Sequence, residues 1–169
     1  MMIDIVLVLE WTKSSDLELI LEFMNTVYTY ASKNKFVRIG VVLFGKEPIP
    51  LLDLGGLDMF SDTINVVRNI PLLQHPAEPS LAIIEAVDML EDLREPISSR
   101  RIMFVIASFS SRPKIPLEDA LLYTRSIDDL RCYLFTTSNR RPHWLSDDIS
   151  KEIAILRKGA ISKYLRKII

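Results

Sequence analysis

The chain predicts an α/β fold: a Rossmann-like, doubly wound and mostly parallel sheet of about six strands with helices on both faces. Three observations carry that prediction. Val- and Ile-rich runs such as Ile3 to Leu9 and Arg101 to Ala107 are apolar almost throughout instead of alternating, as strands covered on both faces are. Segments with apolar residues at helical spacing follow most of them, which calls for crossovers between parallel strands. The length of 169 residues, 49 % of them apolar, suffices for one full core, and no repeat, low-complexity tract or linker divides it. A single domain over residues 1–169 is expected.

Ile3 to Leu9 is the first strand, and it ends abruptly in Glu10-Trp11-Thr12-Lys13-Ser14. Ser15 is placed to cap the next helix, Glu18 completes a capping box, and Leu17, Ile20, Leu21, Met24, Tyr28 and Ala31 recur on one face. Phe36 to Phe44 reads as a second buried strand stopped by Gly45. Pro48 to Asp53 reads as an edge strand, because its prolines cannot donate to a ladder. After Gly55-Gly56 a helix is expected over Asp58 to Ile70, then the turn-rich stretch Gln74 to Pro79 and a stronger helix. In that helix Ile83, Ala86, Val87 and Leu90 face the core, while Glu85, Asp88, Glu91, Asp92 and Glu95 form an acidic outer surface. Arg101 to Ala107 is the next buried strand, Pro116 opens another helix where its missing N–H costs nothing, and Leu130 to Thr136 is a further strand. Ile153 to Leu156 is the last short strand, with Gly159 as its stop. Ala160 to Ile169 forms a terminal helix with Ile161, Leu165 and Ile168 inward.

The formal net charge of -1 supplies no overall field for nucleic acid or an anionic membrane, so neither is an expected partner. Cys132 is the single cysteine, which excludes an intrachain disulfide and favours a reducing, intracellular and cytoplasmic setting. Met1-Met2-Ile3-Asp4 lacks the charged start of a signal peptide, and no apolar run approaches the length of a membrane span. Enzyme signatures are missing where doubly wound enzymes carry them. Trp11-Thr12-Lys13 occupies the turn of a phosphate loop, Ser108 has no glycine elbow, and His75 and His143 lie far apart in sequence. No catalytic residue is therefore assigned.

In folds of this class ligands sit at the carboxyl ends of the strands, here the loops Glu10 to Ser15, Gln74 to Ser80, Ser108 to Lys114 and Ser138 to Pro142. The first loop presents one acid and two hydroxyls as E-x-T-x-S. With the order of elements and the run Arg38-Ile39-Gly40-Val41-Val42, it resembles the von Willebrand factor A superfamily, whose motif at this place is D-x-S-x-S. Within that superfamily Glu78-Pro79-Ser80-Leu81 and Arg101 to Ser111 look most like the von Willebrand-type subunits of the transcription and repair factor TFIIH. They are less similar to the ubiquitin-receptor subunit of the proteasome.

The resemblance implies a set of metal positions. Members with a working site hold Mg²⁺ through an aspartate and two hydroxyls after the first strand, a threonine before the middle helix and an aspartate after the fourth strand. On this chain Glu10 stands for the first aspartate, Thr12 and Ser14 keep the hydroxyls, Ala77 falls near the threonine, and Ser108 replaces the second aspartate. Mg²⁺ demands near-octahedral oxygen ligands, so a lost and a lengthened carboxylate make a poor site, and no cofactor is expected. Glu78 is a substitute for Ala77 in one reading; in another, Glu10 merely accepts backbone N–H groups and Thr12 and Ser14 are cap residues. Arg112, Lys114, Arg140 and Arg141 form a basic rim with Glu78 beside it, and Trp11 and Phe109 either join that rim as partner anchors or fold back to seal the core.

Two readings of function follow. The first is a non-catalytic protein-interaction module, for which the resemblance implies adaptor work in a transcription, repair or protein-turnover assembly with a helicase as partner in TFIIH-like relatives. The second is a divalent-metal-dependent ligand binder using Glu10, Thr12 and Ser14. A hydrolase or nucleotide-binding enzyme would need an active-site constellation that the chain does not display.

Overall fold

A computed structural model of the chain describes residues 2–34, 36–92 and 100–169. In chain order its elements are β1 (Ile3–Glu10), α1 (Leu17–Ala31), β2 (Val37–Phe44), β3 (Pro48–Gly55), α2 (Leu57–Val67), α3 (Pro79–Glu91), β4 (Arg100–Ala107), α4 (Leu117–Thr124), β5 (Leu130–Thr136), α5 (Asp147–Glu152), β6 (Ile153–Ile155) and α6 (Ile161–Ile168). The six strands form one sheet in the order β3-β2-β1-β4-β5-β6. Every neighbouring pair is parallel except β2 with β3, which is antiparallel and lies at the edge where Pro48 and Pro50 belong. The strand order reverses between β1 and β4, and that switch point opens a crevice at the carboxyl ends.

The unbroken apolar character of β1 follows from its central position, since all eight of its residues are buried. Its alternate side chains feed two cores. Ile5, Leu7 and Leu9 join Phe23, Ile64 and Leu165 under α1, α2 and α6, with Phe23 edge-on to Phe104 at 5.3 Å between ring centroids. Val6 and Val8 join Ile83, Ala86 and Leu117 under α3 and α4 on the other face. Gly40 in β2 leaves room for the Met89 side chain of α3, whose Sδ sits too close to where a Cβ would stand. One polar side chain interrupts β1 early: Asp4 is in register with Arg38 of β2, and the two form a bidentate pair with contacts of 2.7 and 3.0 Å.

Several boundaries differ from expectation for tertiary reasons. Asp16, not Ser15, caps α1 by accepting from Leu19 N at 3.1 Å. The Ser15 hydroxyl instead turns back to donate to the Glu10 carbonyl at 2.7 Å. Helix α2 stops at Val67 instead of reaching Ile70; tighter turns carry the chain on to Ile70, whose carbonyl accepts from Trp11 Nε1 at 2.9 Å, and Leu73 N donates to Trp11 O at 2.7 Å. The short helix α5 was not expected; Ser146 caps it, and it leads straight into β6. Of the terminal helix, Ile161 and Leu165 are buried while Ile168 packs only at the margin of the core. Glu95, assigned above to the acidic surface, lies outside the described residues. No helix among those residues is long and apolar enough to cross a membrane.

Candidate functional site

The carboxyl end of β1 delivers Glu10 to the crevice beside the end of β4, and the residue is 1 % exposed. A buried charge of this kind needs donors, and the chain supplies them locally. Thr12 Oγ1 donates to Glu10 Oε2 at 2.8 Å, while the backbone N of Ser108, just past β4, donates to Oε1 at 3.2 Å. The Ser108 hydroxyl lies 3.0 Å from both carboxylate oxygens and 3.1 Å from Ser110 Oγ. Ser15 Oγ stands 3.5 Å from Oε2, and it accepts from Thr12 N at 2.9 Å.

These contacts test the fit to a divalent cation. Mg²⁺ would require about six oxygens converging at roughly 2 Å with their lone pairs inward. Here the hydroxyls of Thr12 and Ser108 turn protons toward the carboxylate. Ser14, the second hydroxyl of the motif, does not converge at all: it is exposed and stands 3.4 Å from His75 Nε2. Among the described residues no group of three or more His, Cys, Asp or Glu side chains is placed to hold a metal ion. The donor set therefore does not fit the Mg²⁺ that the motif implies.

The proposed rim divides into four. Trp11 and Phe109 are 2 % and 3 % exposed, so they seal the end of the core and do not stand out as anchors. Phe109 does so with φ of +51°, a left-handed backbone that a bulky residue adopts only when its surroundings enforce it, and its carbonyl accepts from Trp144 Nε1 at 3.1 Å. Glu78 is likewise buried, accepting from Lys114 N at 3.0 Å and donating its own N–H to Gly45 O at 2.8 Å, so it braces two loops instead of lining a rim. Arg140 and Arg141 do line a cleft of about 740 Å³, together with Ser14, Ser108 and His143. Arg141 is partly committed, because its Nε donates to Ile153 O at 2.8 Å. Arg112 and Lys114 are exposed but are not part of the cleft wall.

The amino acids gave no role to Ser110, Thr136 and Trp144, and gave Ser15 only that of a helix cap. Thr136 is fully buried at the end of β5, where its hydroxyl donates to Ser108 O at 3.4 Å and accepts from Ser138 N at 3.1 Å. A hydroxyl closing the apolar run Cys132 to Phe135 was the available signal. The cleft is rich in hydroxyls, yet the serine–histidine contact at its margin, Ser14 to His75, is long and exposed. Among the described residues no hydrogen bond ties His75 to the orienting third group that activates a nucleophile.

No protein-family model matches the sequence, and no curated protein matches it. Solved structures do. An aerotolerance-related membrane protein from Bacteroides fragilis superposes with a TM-score of 0.70 at 12 % identity, covering 98 % of this chain and 96 % of that one. Proximal thread matrix protein 1 from the mussel byssus gives 0.74 at 11 % identity, over 99 % of this chain and 47 % of that one. A von Willebrand factor type A protein from Catenulispora acidiphila gives 0.71 at 11 % identity, over 99 % and 42 %. The chain thus spans under half the length of the last two. Identities this low speak to the fold alone, and on that they agree: the six-stranded, mostly parallel α/β sheet is a von Willebrand factor A-like fold.

Proposed function

We propose that the chain is a non-catalytic protein-interaction module that takes its partner at the carboxyl-end cleft without a divalent ion. The observation that carries this reading is the Glu10 carboxylate, which spends both oxygens on Thr12 and Ser108 beneath an open cleft of about 740 Å³. Von Willebrand factor A-like folds serve widely as protein-interaction domains, which supports the general class. The resemblance of Glu78 to Leu81 and Arg101 to Ser111 to TFIIH subunits supports an adaptor role in a transcription, repair or turnover assembly, with a helicase as partner. The single cysteine supports an intracellular setting for it.

Affinity capture from native extract in EDTA tests the reading, with Arg140→Glu and Ser110→Arg as cleft variants. Retained capture in EDTA, weakened by both variants at unchanged melting temperature, is the supporting result. Capture abolished by EDTA and restored by Mg²⁺ would establish the divalent-dependent binder in its place. Capture indifferent to both variants would remove the cleft from consideration.

A further inference from the structure

A second surface lies across the sheet edge from the cleft. Helices α4 and α5 flank a groove of about 550 Å³ over β5, floored by Leu121, Leu122, Leu134 and Ile149. Leu122 and Tyr123 are 56 % and 53 % exposed, which is unusual for large apolar side chains beside a groove. The backbone edge there is also short of strand partners. Strand β6 pairs only with Leu134 to Thr136, so residues 130–133 of β5 have no strand on that side among the described residues.

The charge around this groove is one-sided. Helices α3, α4 and α5, which cover this face, carry eight acidic residues against one basic, Lys151, although the whole chain has a net charge of only -1. Glu118, Asp148 and Glu152 stand on the groove wall itself, with Arg125 as the one cation among the described residues there. The Cys132 thiol at the inner wall is pushed up to about 12, first by burial and then by the Glu152 charge. That second cause places acid close to the floor.

We propose that this groove docks an extended, basic polypeptide segment of another protein, one that seats an aliphatic side chain on Leu122 and Ile149 while its lysines or arginines meet Glu118, Asp148 and Glu152. An extended conformation follows from the unpaired length of β5, which can accept one more strand. Basic character follows from the acidic wall, and the aliphatic anchor from the apolar floor. The surface is separate from the carboxyl-end cleft, so its fate does not depend on the preceding proposal.

Fluorescence anisotropy with a labelled heptapeptide of lysines around one leucine and one valine tests this, using the full chain at moderate salt. The expected result is saturable binding, weakened at least about tenfold by Asp148→Lys with Glu152→Lys and several-fold by Leu122→Ser. All three positions are exposed, and Glu118→Gln serves as the milder variant should the charge reversals disturb folding. No binding at millimolar protein would overturn the proposal. Equal binding of a peptide with serine in place of the leucine and valine would reduce it to charge attraction and overturn it too. Binding that changes on Arg140→Glu but not on the groove variants would place the peptide in the other cleft, and the proposal would fall on that result as well.

Discussion

Strand β1 buries two carboxylates, one near each end, and solves the same problem in opposite ways. Asp4 is 3 % exposed and faces a cation: Arg38, its register partner on β2, binds it with two contacts. Glu10 is 1 % exposed, and its partners are hydroxyls and a backbone N–H drawn from Thr12, Ser15 and Ser108. A counter-charge lends the first end strength that tolerates small movements. The dipoles at the second end must be aimed, so two loops are tied to one carboxylate. The amino end is thereby structural, and the carboxyl end is a fixed platform under an open cleft.

The largest expected effect tests how far that platform rests on apolar burial as well. Trp11 leaves β1 directly after Glu10, is 2 % exposed, and donates from its indole to Ile70 O at 2.9 Å. Trp11→Ala is expected to cost about 3–5 kcal/mol, the range for emptying a large buried site. Denaturant unfolding measures it. A loss under about 1 kcal/mol would mean that the ring is free to leave the core and act at the rim after all.

The two acids are then compared directly. Arg38→Met leaves the Asp4 carboxylate buried without this guanidinium and is expected to cost about 3 kcal/mol, as breaking one side of a buried pair does. Glu10→Gln keeps one acceptor oxygen but sets an NH₂ group against the donors of Thr12 or Ser108, for an expected cost of about 1–3 kcal/mol. Equal losses in both variants, read from the same unfolding curves, would erase the distinction between the charged and the dipolar solution. A stabilised Glu10→Gln variant would mean that the carboxylate is held under strain for a ligand.

The same contrast explains which features could be read from the amino acids. The strands are mostly apolar segments, β1, β2 and β4 above all, and the structure places each within a few residues of expectation, down to the proline-bearing edge strand. Local pattern suffices where burial alone decides. It failed where tertiary bonds compete with local ones: Ser15 could cap a helix by its type, but its hydroxyl is claimed by Glu10, and Asp16 takes the role. Helix α5 spans six residues, too few for a periodic signal. At the site, the convergence of Glu10 with Ser108 follows from adjacent parallel strands and was foreseeable; for Trp11 and Phe109 the amino acids left rim and core both open, and the burial of Glu78 was not legible. A residue following a strand end can point up or back, and only the loops that meet it decide.

The smallest expected effect concerns a third way of burying an ionisable group, which is to keep it neutral. Cys132 on β5 has its thiol pushed up to about 12 by burial and, secondarily, by the Glu152 carboxylate. In the unfolded chain the thiol returns to its ordinary value of 9.0. Below that pH both states hold the proton, and Cys132 adds nothing to the pH dependence of stability. Above it the unfolded chain loses the proton first, so stability must fall as pH rises toward the folded value. Comparing Cys132→Ala with the parent cancels the tyrosines and lysines that titrate in the same range. The difference between the two unfolding free energies is expected to be flat from neutral pH to about 9 and then to move steadily against the parent. A flat difference up to about pH 10.5 would show the thiol to be solvated in the folded state, and with it that the groove between α4 and α5 admits water to its floor.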